Sequence, residues 1–141
     1  MTTVATRHRD LFGCMTPEGV ALNELGRIVR ATWDEIPAHR PYVRLDAYVV
    51  MPDHFHALFW IKEAWSGSAA SATLAAGSVG AILGGFKAAA AKRINLWRGT
   101  PGGMVWARGY HDWILRVDLS VHRVRRYIDL NPIRRWVRQG R

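Results

Sequence analysis

Cysteine is almost absent from this chain of 141 residues. The single one, Cys14, excludes an intramolecular disulfide framework and any cysteine-rich zinc site. Acidic residues are scarce as well, eleven Asp and Glu against twenty Lys and Arg, and the formal net charge is +9. Lysine contributes little to that excess, because seventeen of the twenty cations are arginine. No stretch has the length and apolarity of a membrane span, and residues 1–15 are too polar for a signal peptide. The expectation is a soluble cytoplasmic protein, associated with the nucleoid, in a reducing compartment. With 49% hydrophobic and 22% charged residues the chain is not of the disordered class. Its length fits one domain spanning 1–141, able to bury roughly two thirds of its unfolded surface.

The charge is placed unevenly. Residues 108–141 hold nine arginines and three aspartates, so +6 of the +9 lies in the last quarter. Guanidinium groups pair two phosphate oxygens at once, and this clustering exceeds what solubility requires, so it reads as a nucleic-acid footprint. A solubilising basic face is the plainer alternative.

Periodicity gives a coarse element order. Residues 2–6 alternate weakly as a first strand, with a polar turn over 7–10. Thr16-Pro17-Glu18 reads as a helix start, and Val20, Leu22, Leu25, Ile28, Val29 and Trp33 recur near helical spacing, which predicts a helix over 17–34 ended by Pro37 and Pro41. Tyr42–Val50 and His54–Ile61 are rich in β-branched and aromatic residues and predict an antiparallel pair across Met51-Pro52-Asp53. Residues 64–78, rich in Ala, Ser and Gly, read as a flexible insertion. Ser78–Leu96 predicts a helix in which Gly84-Gly85 leaves room for another backbone. A strand kinked near Gly109 is expected within 104–117. A last helix is expected from Ser120 to about Leu130, stopped by Asn131-Pro132, with a basic tail over 133–141. The implied fold is α+β: a ferredoxin-like split βαβ sandwich on an antiparallel sheet, with an added C-terminal helix.

His54 and His56 lie two apart on a predicted strand, so both imidazoles leave one face while Phe55 faces the other. Two neutral imidazoles side by side suit two adjacent positions on a divalent metal. Taken alone they read more readily as two partly exposed surface histidines. Tyr127 and Asn131, four apart, share a face of the last helix, placing a hydroxyl and a neutral oxygen donor one turn apart. Their plain readings are a core-edge tyrosine and a helix-end asparagine.

Four segments then coincide in order along nearly the whole chain. Val49-Val50-Met51-Pro52-Asp53-His54-Phe55-His56 resembles the His-hydrophobic-His motif of the single-tyrosine HUH transposases. Phe86-Lys87 resembles that family's Phe-Lys pair, and Trp106-Ala107-Arg108-Gly109-Tyr110-His111-Asp112 its Trp-x-x-Gly-Tyr-x-Asp segment. Tyr127-Ile128-Asp129-Leu130-Asn131-Pro132 resembles its Tyr-Ile-x-x-Asn-Pro signature, in the form carried by the REP-associated tyrosine transposases. The resemblance implies a metal-dependent endonuclease and strand transferase acting on single-stranded or hairpin DNA. Tyr127 would be the nucleophile forming a 5′-phosphotyrosine, and His54, His56 and Asn131 would hold Mg²⁺ or Mn²⁺.

The DNA contacts expected from charge are Lys87, Lys92, Arg93, Arg108, Arg123, Arg126, Arg134, Arg135 and Arg138. One or two of Trp97, Trp106 and Trp136 are expected to stack on bases, whereas Trp33 and Trp60 read as core. His111 and His122 read as surface or DNA-facing. The chain is expected to act as a monomer, with a dimer as the alternative. A non-catalytic module binding DNA or RNA hairpins on the same fold is the alternative, and a relative of replication initiators or relaxases is a third.

Overall fold

The computed structural model describes residues 2–5, 10–61, 78–109, 111–112 and 118–138. Ten elements follow one another: β1 (Thr2–Ala5), β2 (Gly13–Thr16), β3 (Gly19–Leu22), α1 (Glu24–Asp34), α2 (Ile36–His39), β4 (Val43–Val50), β5 (His54–Ile61), α3 (Val79–Arg98), β6 (His111–Asp112) and α4 (Asp118–Arg138). Four strands form one antiparallel sheet in the order β4-β5-β1-β6, and β2 and β3 form a separate hairpin. Because β5 runs antiparallel to both β4 and β1, those two strands are parallel and α1 lies on the crossover between them. In the same way α3 connects β5 to β6 across β1. This is the expected ferredoxin-like split βαβ topology with an added C-terminal helix. Among the described residues no helix is long and apolar enough to cross a membrane.

The predicted helix over 17–34 is corrected. Its first third is the β2–β3 hairpin, in which Pro17 and Glu18 fill the turn and the Thr16 hydroxyl donates to the Gly19 carbonyl at 2.8 Å. The helix begins only after Asn23, whose side chain accepts from the Gly26 amide as an N-cap. A proline followed by an acid opens a helix or a tight turn equally well, and Gly19 (φ +127°) lets the chain reverse here. Pro37 sits in the first turn of α2 rather than ending a helix.

Ser78 caps α3 by accepting from the Ala81 amide, and Gly99 closes it in a left-handed conformation. The gap at Gly85 admits the Arg40 guanidinium rather than a backbone. Residues 62–77, with most of the expected insertion, lie outside the described residues. So do Tyr110 and residues 113–117 of the expected fourth strand, of which His111 and Asp112 pair with β1. The last helix does not stop at Asn131. Helix α4 runs through Pro132 to Arg138, so 133–138 are helical and only 139–141 fall outside the description. Proline removes a single N–H from the helical ladder, which the contacts of the following turn outweigh.

The sheet is covered on both faces. Val43, Val50, Phe55 and Ala57 join Trp33, Ile82, Leu83, Phe86, Ile94 and Trp106 in the main core beneath α1 and α3. Trp33, fully buried, meets the rings of Phe55, Phe59 and Phe86 with centroids 4.9, 5.6 and 5.1 Å away. On the other face Leu58, Val121 and Ile128 form a small second core beneath α4. The alternation of β5 separates the two, with Phe55 and Ala57 facing one way and His54, His56 and Leu58 the other.

Strand β4 changes phase partway. Leu45 pairs with Phe59 but Tyr48 with Ala57, so β4 carries one extra residue at Asp46-Ala47. Val43 and Leu45 before this bulge, and Tyr48 and Val50 after it, all face the main core. Ala47 and Val49 are left on the α4 side, where Asp46 also meets the last helix.

Candidate active site

His54 and His56 open β5, paired with Ala5 and Thr3 of β1, in the interior of the sheet. Their rings stand edge to face, centroids 4.5 Å apart. His56 is 6% exposed. Burial, with the neighbouring His54 adding to it, pushes its pKa down to about 4, so the imidazole is neutral. The ring of Tyr127 packs edge to face on His56 at 5.5 Å between centroids.

Helix α4 crosses this face with Val121, Ile128 and Asn131 buried beneath it. Asn131, 4% exposed, lies between Tyr127, which touches His56, and Arg135, which reaches the residue before His54. The two histidines, the tyrosine and the asparagine singled out in the sequence are thus brought to one end of one sheet face. No cluster of three or more His, Cys, Asp and Glu side chains able to hold a metal occurs among the described residues. A cation here would need Asn131 as a third protein donor.

Two carboxylates unforeseen in the sequence fasten α4 to the sheet. Asp46 accepts from Arg125 Nε and Nη2 at 2.9 and 2.6 Å, from Trp60 Nε1 at 2.8 Å and from the Ala47 amide at 2.8 Å. Ten residues along the helix, Arg135 donates to both oxygens of Asp53 at 2.6 and 3.2 Å. Asp53 Oδ1 is also 2.7 Å from His54 Nδ1. Burial opposes the charge on Asp53, but hydrogen bonds from Arg135 and His54 outweigh it and hold the pKa down at about 2. Neither carboxylate–arginine pair has a sequence signature, since the pairings join positions 79 and 82 residues apart.

Tyr127 is 39% exposed, and the guanidinium carbon of Arg134 lies 5.7 Å from its ring centroid. Other described tyrosines are occupied. Tyr48 donates to Asp34 at 2.8 Å and is pushed up to about 12 by burial and that carboxylate, and the Tyr42 hydroxyl accepts from Arg40.

The cations expected on DNA divide into two sets. Arg108, Arg123, Arg126, Arg134, Arg138 and Lys92 are exposed. Arg93 instead bonds Glu35 at 2.6 Å and Thr32 at 3.2 Å, and Arg135 is held by Asp53. Lys87 donates to the carbonyls of Ala107 and Gly109 at 3.2 and 3.0 Å, pinning the loop that presents Arg108. Trp106 is buried against Phe12 and Phe86 and donates to the Lys87 carbonyl, so it offers no face to a base. Trp97 is 60% exposed and Trp136 half-buried. His122 is exposed, as expected, and the His111 side chain lies outside the described residues.

No family model matches the chain. An uncharacterized protein of Haemophilus influenzae is 31% identical over 144 residues, a match spanning 93% of this chain and 78% of that protein. Among solved structures, a REP-associated tyrosine transposase bound to a REP hairpin has the same fold, with a TM-score of 0.66 at 16% identity. That match covers 95% of this chain but 66% of the transposase, just under two thirds of its length.

Proposed function

The chain belongs to the family of the uncharacterized Haemophilus influenzae protein, and from that premise and its transposase fold we propose that it is a single-tyrosine DNA endonuclease and strand transferase acting on hairpin-forming single-stranded DNA. The observation that carries this reading is Tyr127 packed 5.5 Å from His56, with His54 beside it and Asn131 buried one turn along the same helix. A partly exposed phenol beside one imidazole, with a second imidazole packed on the first, suits attack on a phosphodiester.

In this reading Tyr127 Oη attacks the scissile phosphorus. The P–O3′ bond breaks, the 3′ oxygen takes up a proton, and a 5′-phosphotyrosine keeps the bond energy for rejoining. The phenolic proton leaves to solvent, and the Arg134 guanidinium stands over the ring on the side open to the DNA backbone's charge. His54, His56 and Asn131 would hold Mg²⁺ or Mn²⁺, which supplies charge neutralisation at the non-bridging phosphate oxygens. Two neutral imidazoles and an amide suit a divalent cation held with modest affinity. The exposed arginines of α4 and Arg108 bind the DNA backbone, and Trp97, 60% exposed, stacks on an unpaired base. The protein acts as a monomer, which sedimentation at working concentration checks.

The test is incubation with single-stranded hairpin DNA and Mn²⁺. A covalent adduct resistant to denaturant, mapping to Tyr127 and abolished by EDTA, is expected. Stable hairpin binding without any adduct would favour the non-catalytic hairpin-binding reading.

A further inference from the structure

Asp53 stands where three things meet: the tight turn before β5, the histidine that opens the strand, and the last helix. Its Oδ1 is shared by His54 Nδ1 at 2.7 Å and Arg135 Nη1 at 2.6 Å, and its Oδ2 takes the second Arg135 bond at 3.2 Å. A carboxylate paired with a guanidinium carries only acceptors. The His54 Nδ1 facing it must therefore be the donor, and in the neutral ring the lone pair then belongs to Nε2. We infer that Asp53 is a positioning residue: it fixes His54 in the Nδ1–H tautomer, leaving Nε2 as the ligand atom, and through Arg135 it ties that choice to the docking of the nucleophile's helix. The inference rests on the metal site proposed above.

The fold contains its own control. Asp46 fastens the same helix through two bonds from Arg125 and has its other donors on Trp60 and Ala47 rather than on a histidine. Loss of Asp46 loosens α4 and releases Trp60 and Ala47 but leaves the Asp53–His54 bond in place, whereas loss of Asp53 loosens α4 and also frees the His54 ring. Outer carboxylates of this kind change metal affinity by about 10- to 100-fold when removed.

The deciding measurement is the long-range ¹⁵N–¹H spectrum of the metal-free protein at about pH 8, where imidazole is neutral, paired with Mn²⁺ titration followed by electron paramagnetic resonance. His54 is expected as the Nδ1–H form in the wild type and in Asp46→Ala. In Asp53→Ala it should move toward the Nε2–H form, with the Mn²⁺ dissociation constant raised about 10-fold or more. Arg135→Ala should keep the tautomer, because Asp53 remains. An Nε2–H ring in the wild type overturns the inference without any variant having to fold. So does an unchanged tautomer or unchanged Mn²⁺ affinity in folded Asp53→Ala. A wild type that shows the expected tautomer shift on Asp53→Ala yet takes up no Mn²⁺ defeats the metal assignment of the proposed function, while positioning by Asp53 stands.

Discussion

Replacing Asp46 by alanine withdraws the acceptor for four hydrogen bonds at once: two from Arg125, one from Trp60 and one from the Ala47 amide. Bonds to a charged acceptor contribute about 1.5–3 kcal/mol each, but Arg125 is 38% exposed and recovers water when released. The Trp60 N–H, part-buried, recovers less. The net cost expected for Asp46→Ala is about 3 kcal/mol, a fall in thermal midpoint on the order of 10 °C. Arg125→Ala should cost clearly less, because Asp46 keeps Trp60 and Ala47 as donors. The carboxylate is the hub, and the two losses are unequal for that reason. Acid titration supplies a second reading. The hydrogen bond from Arg125, opposed by burial and helped by Trp60 and Ala47, holds the Asp46 carboxyl well below the usual carboxylate range. A depressed acid pKa contributes stability that is fully present above the ordinary value near 4 and lost as pH falls from there toward the lower folded value. The gap between wild type and Asp46→Ala, followed by circular dichroism in urea, should therefore close as pH falls below about 4. An Asp46→Ala protein within about 0.5 kcal/mol of wild type refutes the reasoning, as does an Arg125→Ala protein that is the less stable of the two.

Tyr127→Phe should bind hairpin DNA with near-wild-type affinity and form neither adduct nor nick, which gel shift and denaturing electrophoresis check. Nicking by that variant would move the nucleophile elsewhere. Neutralising Arg126, Arg134 and Arg138 together should lower the salt slope of hairpin binding by about 0.7–0.9 for each phosphate they neutralise, while Arg93→Ala, whose cation is held by Glu35, should leave the slope unchanged. Gly26→Ala should destabilise by roughly 2 kcal/mol or more despite the better helix propensity of alanine, because the added Cβ would stand 2.3 Å from the Phe12 carbonyl oxygen. Equal or higher stability in urea unfolding would show that the β2–β3 hairpin can slide away from α1.

The elements with one dominant signal were legible in the sequence. His54–Ile61 is aromatic and apolar almost throughout and reads as a strand, and the apolar face recurring from Ser78 to Leu96 reads as α3. The sequence pattern also placed His54, His56, Tyr127 and Asn131 at one site. Failures occurred where a local cue had two meanings. Thr16-Pro17-Glu18 suits a helix start as well as a turn, and the capping Asn23 a few residues on settles which is used. Asn131-Pro132 resembles a helix end, but Arg135 gains its partner Asp53 only in three dimensions. The imperfect alternation of β4 is the bulge at Asp46-Ala47, invisible without knowledge of which face each half buries. Composition could not say which cations are spoken for. Arg134 and Arg135 are adjacent, yet one lies over the Tyr127 ring and the other is held by Asp53.

The two faces of the sheet are unequally anchored, and that has a consequence for how the proposed site comes apart. Sixteen buried hydrophobic side chains lie in the core under α1 and α3, against three under α4, among the described residues. Detaching α4 therefore exposes little apolar surface and leaves the larger core closed, so the free energy of that opening lies below that of global unfolding. The amides of α4 should exchange with deuterium through this partial opening, and those of Phe86 to Ile94 only when the whole domain opens. The site is assembled across the weaker seam, with the histidines on one side and the tyrosine on the other. Heating should accordingly silence the protein before it melts.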